Sequence, residues 1–381
     1  MTVDEWQVTW GGCDSSLNFN SAMRGFLVAM FMCIAANAAY AQTLFSITPG
    51  SEFTVAAWLY QRLADNAPID PTSAVISTNL RDGMIAAATK LYWFADYPIY
   101  RVDGTVPTVT VIVGVRNPDG SITQNPLQAL LQPSFNAVPM PNPNTFVPQA
   151  GTDHEAVIYR TTTHEKWEAI LWEKTGFRTT NSLGQLVDEW QINWGGYEPD
   201  LRTNNGTWPC YPGPCYGAVA AGIPLMALSI TAGDIDRQAV NHAVGLIIPL
   251  AINRNTFHFP AQRMDGMQGG DYYPMEGDIF RLPANIDLNA YPATTWDGVS
   301  PKSVWRLFAE AMRDYGMVIY DQGANAVAVG EAGATPQYPT DPYTDCVNYP
   351  RVCGATGGLD HRHHFIATEF PWDRVQLLRR P

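Results

Sequence analysis

The stretch Val187–Trp194 (VDEWQINW) alternates with a period of two, so that Trp190, Ile192 and Trp194 share one face, and Gly195-Gly196 stands at its end. A two-residue period marks an extended strand with one buried face. Further β signals recur along the chain. TVTVIVGV lies within Val106–Val115, ahead of the Asn117-Pro118-Asp119-Gly120 turn, and Ala156–Arg160 and Trp167–Trp172 flank a Thr-rich turn. His242–Pro249 places His242, Val244, Leu246 and Ile248 on one side, and Met317–Tyr320 with Ala326–Gly330 predicts a closing hairpin around Gly323-Ala324-Asn325. Helical signals are fewer. Glu52–Ala64 reads as a helix or an extended entry, Met84–Phe94 as a buried helix, and Tyr216–Ile230 as a buried helix or irregular core segment. Ser300 as cap and Pro301 as first residue introduce one amphipathic helix, striped by Val304, Leu307, Phe308, Ala311, Met312 and Tyr315 and closed by Gly316. The expected fold is mainly β, a β-sandwich or jelly-roll with a few accessory α-helices. The 31 glycines and 29 prolines, set against only 15% charged residues, suit a loop-rich β protein with a large core.

Met23–Ala41 (MRGFLVAMFMCIAANAAYA) has the three parts of a secretory signal: Arg24, an apolar Gly25–Ile34 core, and a small Ala39-Tyr40-Ala41 cleavage site. The apolar run is too short to span a bilayer, so the expectation is export of a mature chain from Gln42. Residues 1–22 then read as a non-native or mis-assigned extension ahead of a native start at Met23. Their Val3–Gly12 segment matches Val187–Gly196 at eight of ten positions without any further period, which excludes a solenoid. Residues 42–381 read as one secreted domain, with a possible sub-boundary where Pro133–Pro148 packs five prolines into sixteen residues as a linker or a draped loop. Removing 1–41 takes away Asp4, Glu5, Asp14 and Arg24 and leaves −11 of the chain's −13. With no Lys/Arg cluster, neither nucleic acid nor an anionic membrane is expected as a partner. Three connectivities are open to Cys210, Cys215, Cys346 and Cys353. An oxidising compartment and short loops favour Cys210–Cys215 and Cys346–Cys353, and neither spacing is the CxxC of a zinc site.

No GxSxG, HExxH or phosphate-binding glycine loop occurs. The candidate catalytic residues are therefore polar groups on otherwise apolar strands. Glu168, beside Trp167, and Asp153, just before the Ala156 strand, would reach the same end of a hairpin. Two separated carboxyls, one protonating the leaving oxygen and one activating water, are what glycosidic cleavage requires. His242, at the head of an apolar strand, is the candidate proton carrier, and a core histidine is its plain alternative. Asp200, near the tryptophan strand, and Asp265, in the Asp265-Gly266 turn signal, complete the acidic set. Trp167, Trp190, Trp194 and Tyr315 are the candidate substrate-binding aromatics, with a packed core as the competing reading. Asp188 and Glu189 flank the strand. His361-Arg362-His363-His364 has no carboxylate at useful spacing, so no metal and no other cofactor is expected.

One ordered series runs through the chain: Gly151-Thr152-Asp153, Trp167-Glu168, Trp194-Gly195-Gly196, Asn241-His242-Ala243, Pro260–Gly266 (PAQRMDG), Met275-Glu276-Gly277, Tyr315-Gly316-Met317 and Phe370–Arg374 (FPWDR). In this order the chain resembles a family of secreted bacterial proteins, common in actinobacteria, over roughly Glu52 to Leu378. The resemblance implies export and one continuous extracellular domain, and carries no catalytic assignment. The family's Gly-Thr-Asp-x-His becomes Gly151-Thr152-Asp153-His154-Glu155 here, with the histidine one position early, which strand alternation would turn to the opposite face. The expected function is a secreted carbohydrate-active enzyme cleaving an extracellular polysaccharide or oligosaccharide, a hydrolase first and a lyase second. The alternatives are a non-catalytic glycan-binding protein and an assembling surface protein that reaches a neighbour through Thr335–Tyr349.

Overall fold

Three layers of sheet, separated by two hydrophobic cores, make up the body of the protein. The computed structural model describes residues 44–86, 91–208, 217–249, 253, 256–323, 326–333, 338, 340–356 and 369–379. The chain divides after Leu44, and the second unit, Phe45–Pro381, carries everything that follows. The 1–22 extension, the signal segment 23–41, Cys210 and Cys215, and His361–His364 lie outside the described residues.

The middle layer has the order Trp194–Glu198, Glu165–Ile170, Ala156–Arg160, Ile99–Val102. Its alternating side chains serve both cores: Ile99, Val157 and Tyr159 enter the first, while Tyr100, Val102, Ala156, Ile158, Trp167 and Ala169 enter the second. Burial on both faces explains why these strands carry apolar residues almost without interruption. The first core is closed by a six-stranded sheet, which contributes Val318, Tyr320 and Val329. The second is covered by Val187, Trp190 and Ile192 of the strand Leu186–Ile192, and by Phe135, Val138, Met140 and Phe146. The proline-rich segment is therefore a draped loop whose apolar residues anchor it, and not a linker between domains. The fold is mainly β with few helices, as the alternation requires.

Several sequence expectations are corrected. Gly195-Gly196 does not end a strand but lies inside the next one, Trp194–Glu198. A Cβ at Gly195 would stand 2.3 Å from the Glu168 carbonyl, and one at Gly196 2.8 Å from the Trp208 ring, so close approach is what demands glycine. Met317–Gln322 and Ala326–Glu331 do not pair as a hairpin. The strand Val244–Ile248 lies between them, parallel to the first and antiparallel to the second, because this apolar strand gains most from a central position. The amphipathic helix runs Val304–Asp314 and is capped by Ser303, whose Oγ accepts from Arg306 N at 3.1 Å. Ser300 is bound instead within a turn by Asp297. Met84–Phe94 is not one helix: the helix Ser73–Ala86 and the strand Leu91–Tyr97 fall on either side of residues 87–90. Of the Tyr216–Ile230 segment, the described residues 217–230 take the irregular form, with a 3-10 turn at Leu225–Leu228. Cys346 and Cys353 form a disulfide. The described tyrosines of the 335–349 segment turn inward, with Tyr338 Oη donating to Glu331 Oε1 at 2.8 Å and Tyr343 Oη to the Glu331 carbonyl at 2.7 Å.

Candidate functional site

Glu168 is wholly buried on the middle sheet, opposite Val157 and Gly196. Its Oε2 accepts from Lys166 Nζ at 2.7 Å and Leu225 N at 3.0 Å, and its Oε1 from Trp208 Nε1 at 2.8 Å and Ala218 N at 3.1 Å. Lys166, equally buried, also lies over the Trp208 ring at 4.2 Å. Four donors occupy both oxygens of this carboxyl group, and no solvent reaches it. Glu168 is an anchor that ties the sheet to the Ala218–Leu225 segment.

The other sequence candidates scatter. Asp153 is exposed, and its carbonyl accepts from Leu171 N at 2.7 Å. Asp200 caps the 3-10 turn Leu201–Thr203 and pairs with Arg202 at 2.8 Å, whose hydrogen bonds hold its carboxyl below the usual range. His242 is fully buried just ahead of its strand, with Nδ1 at 2.8 Å from the Ala243 carbonyl and Nε2 at 3.5 Å from Asp234 Oδ2. It is a satisfied core histidine. The aromatic platform is likewise interior: Trp167 Nε1 donates to the Ser134 carbonyl and Trp190 Nε1 to the Pro143 carbonyl, while Trp194 packs on the second core. Tyr315 packs against the first core with the Arg62 guanidinium over its ring at 5.6 Å. The outward pair of the sequence reading is tied as well, Asp188 to Lys174 and Arg178 and Glu189 to Arg116.

Asp265 alone of the set stands exposed beside unusual chemistry. Its backbone N–H donates to Glu276 Oε1 at 3.2 Å, which brings the Asp265 carboxyl into the electrostatic reach of Glu276. Glu276 is fully buried, and no donor reaches its Oε2. Burial first, then the Asp265 carboxylate and the charge of Asp321, push the Glu276 carboxyl up to about 10. Burial and the nearby negative charges therefore favour the protonated form of Glu276. The Arg263 guanidinium lies in the field of Glu168, Glu276, Asp321 and Asp265, with Nη2 donating to the Gly217 and Val219 carbonyls. Burial lowers its pKa and the carboxylates oppose that.

The turn that carries Glu276 also carries a histidine–carboxylate pair. His258 Nδ1 is 2.9 Å from Asp278 Oδ1, and Asp278 Oδ2 accepts from Met275 N at 2.8 Å. His258 N in turn donates to the Glu276 carbonyl at 2.8 Å. A carboxylate at Nδ1 fixes the tautomer that leaves Nε2 as the acceptor. Gly277, at φ 86°, makes this fit possible, since a Cβ there would stand 1.6 Å from the His258 carbonyl. Around the turn, Phe257, Phe259 and Tyr272 are exposed, Tyr272 by 54%, and Trp58 meets Phe259 edge-on at 6.3 Å. Sequence reasoning assigned no role to Glu276, His258 or Asp278. The one available signal was Met275-Glu276-Gly277, an acid set between an apolar residue and a glycine.

Among the described residues no group of three His, Cys, Asp or Glu is arranged to hold a metal ion, and no helix is long and apolar enough to cross a membrane. Comparison of the chain with family models, with curated proteins and with solved structures finds no match.

Proposed function

We propose that the chain is an acid/base enzyme acting on an extracellular polysaccharide, with Asp265 and Glu276 as the working carboxyls. The observation that carries this reading is a fully buried Glu276 carboxyl with one oxygen unpartnered and the other held by the backbone N–H of exposed Asp265. Asp265 is the group that meets substrate, and Glu276 is the reserve behind it. The pair can protonate a glycosidic oxygen as the bond to the anomeric carbon breaks. Water adds its oxygen to that carbon and returns its proton to the pair, so the site ends as it began. The exposed rings of Phe257, Phe259 and Tyr272 offer flat apolar area to sugar faces. The signal-like Met23–Ala41 supports an extracellular substrate.

Reducing-end release from a panel of polysaccharides tests this. Asp265→Asn is expected to lower turnover by about 10²–10⁴-fold, the usual contribution of a positioned acid or base. Parental turnover in that variant overturns the assignment. A non-catalytic glycan-binding role is the second reading, favoured by the zero exposure of Glu276. It predicts binding by the parent protein with no reducing ends released from any member of the panel.

A further inference from the structure

The helix Ser73–Ala86 forms one wall of a cleft whose opposite wall is Trp372–Gln376. The cleft encloses about 490 Å³, within the range of small-ligand sites. Asp70, Arg81, Asp373 and Arg374 line it, two charges of each sign. An anion held there would meet two carboxylates along with the guanidinium groups, whereas a neutral polyhydroxyl ligand can use acceptors and donors alike.

Ser77 supplies a second, independent observation. It lines the cleft, is 8% exposed, and its Oγ has no hydrogen-bond partner. Buried hydroxyls are ordinarily paired, so one left unpaired at a cleft wall marks a place for an incoming polar group. Its neighbours are already used by the fold: Ser73 Oγ accepts from Leu377 N at 2.7 Å, and Thr78 Oγ1 donates to the Ala74 carbonyl at 2.8 Å. The same helix touches the candidate site, since Asn79 Nδ2 donates to the Tyr272 carbonyl at 2.6 Å. We infer that this cleft is a second carbohydrate subsite, which holds a neutral sugar unit of the polymer away from the bond that is cleaved. The inference rests on the polysaccharide reading given above.

Titration calorimetry of the full chain with cellohexaose, xylohexaose, chitohexaose and a galacturonate hexasaccharide tests it without requiring turnover. One neutral hexasaccharide is expected to bind the parent, while Ser77→Ala/Arg374→Ala weakens Kd by about tenfold or more. Should that double variant melt early, Ala74→Trp, on the exposed wall of the cleft, blocks it instead and is expected to give the same loss. Equal affinity in the cleft variants overturns the inference. So does the absence of hexasaccharide binding to the parent, or binding confined to galacturonate and inorganic sulfate. A parent that binds but releases no reducing ends removes the catalytic reading and leaves the subsite standing. Turnover lost in Asp265→Asn, with cleft variants binding normally, removes the subsite alone.

Discussion

Two glutamates are buried to the same degree and placed in opposite situations. Glu168 receives a lysine ammonium, an indole N–H and two backbone N–H groups, while Glu276 receives one backbone N–H and faces another carboxyl. Loss of water is common to both, so burial by itself does not distinguish them. The supply of donors does. A carboxylate surrounded by donors is locked into the structure, whereas one short of donors keeps its proton and retains something to transfer.

The sharpest way to break this contrast is to remove the cation. Lys166→Met leaves Glu168 buried without its ammonium partner, and urea unfolding is expected to show a loss of about 3–5 kcal/mol. Adding Glu168→Leu should recover much of it, since replacing both partners removes the uncompensated charge. A loss below about 1 kcal/mol, the scale of a surface pair, would mean that Glu168 is not the anchor described.

Next in size is Gly277→Ala. The positive φ and the 1.6 Å approach to the His258 carbonyl predict a loss of about 1–3 kcal/mol in thermal melts. Turnover should fall as well, because the Glu276 turn and the His258–Asp278 pair are displaced together. Full activity with an unchanged melt would detach this turn from the proposed site.

Glu276→Gln sharpens the other side. The native carboxyl is raised to about 10 from an ordinary value of 4.5, so the folded state binds a proton that the unfolded chain has already released across that window. Stability is therefore full below pH 4.5 and declines as pH rises toward about 10. The glutamine variant lacks this slope, so its urea midpoint should exceed the parent's increasingly above pH 4.5 and converge with it below. Parallel curves across the whole range would place an ionised carboxyl in the native site.

The smallest effect belongs to the surface. Asp200→Ala removes the cap of a single 3-10 turn and an exposed contact with Arg202, and about 1 kcal/mol or less is expected from urea midpoints. A larger loss would give Asp200 a role that its half-buried position does not suggest.

Much of the local structure was legible along the chain. The alternation at Val187–Trp194 matches the strand Leu186–Ile192, the Thr-rich turn joins Ala156–Arg160 to Glu165–Ile170, and the stripe from Val304 to Met312 is a buried helix face. The Cys346–Cys353 disulfide is the local pairing that a short loop and an oxidising compartment favour. The site was far less legible. Asp265 was among the residues singled out, but Glu168 drew attention for the company of Trp167, and that company proved to be core. Glu276 stood in view without a reason to prefer it.

Periodicity is written by neighbours a few residues apart, so the sequence alone determined several of the strands, the amphipathic helix and which of their faces avoid water. Which strand lies beside which was settled by tertiary packing, as Val244–Ile248 between Met317–Gln322 and Ala326–Glu331 illustrates. The fate of each acidic side chain was settled in the same way. Trp208, Ala218 and Leu225 approach Glu168 from 40 to 57 residues away, and Asp265 meets Glu276 across eleven. A carboxyl's proton depends on the donors and charges that surround it in space, and only the folded chain assembles those.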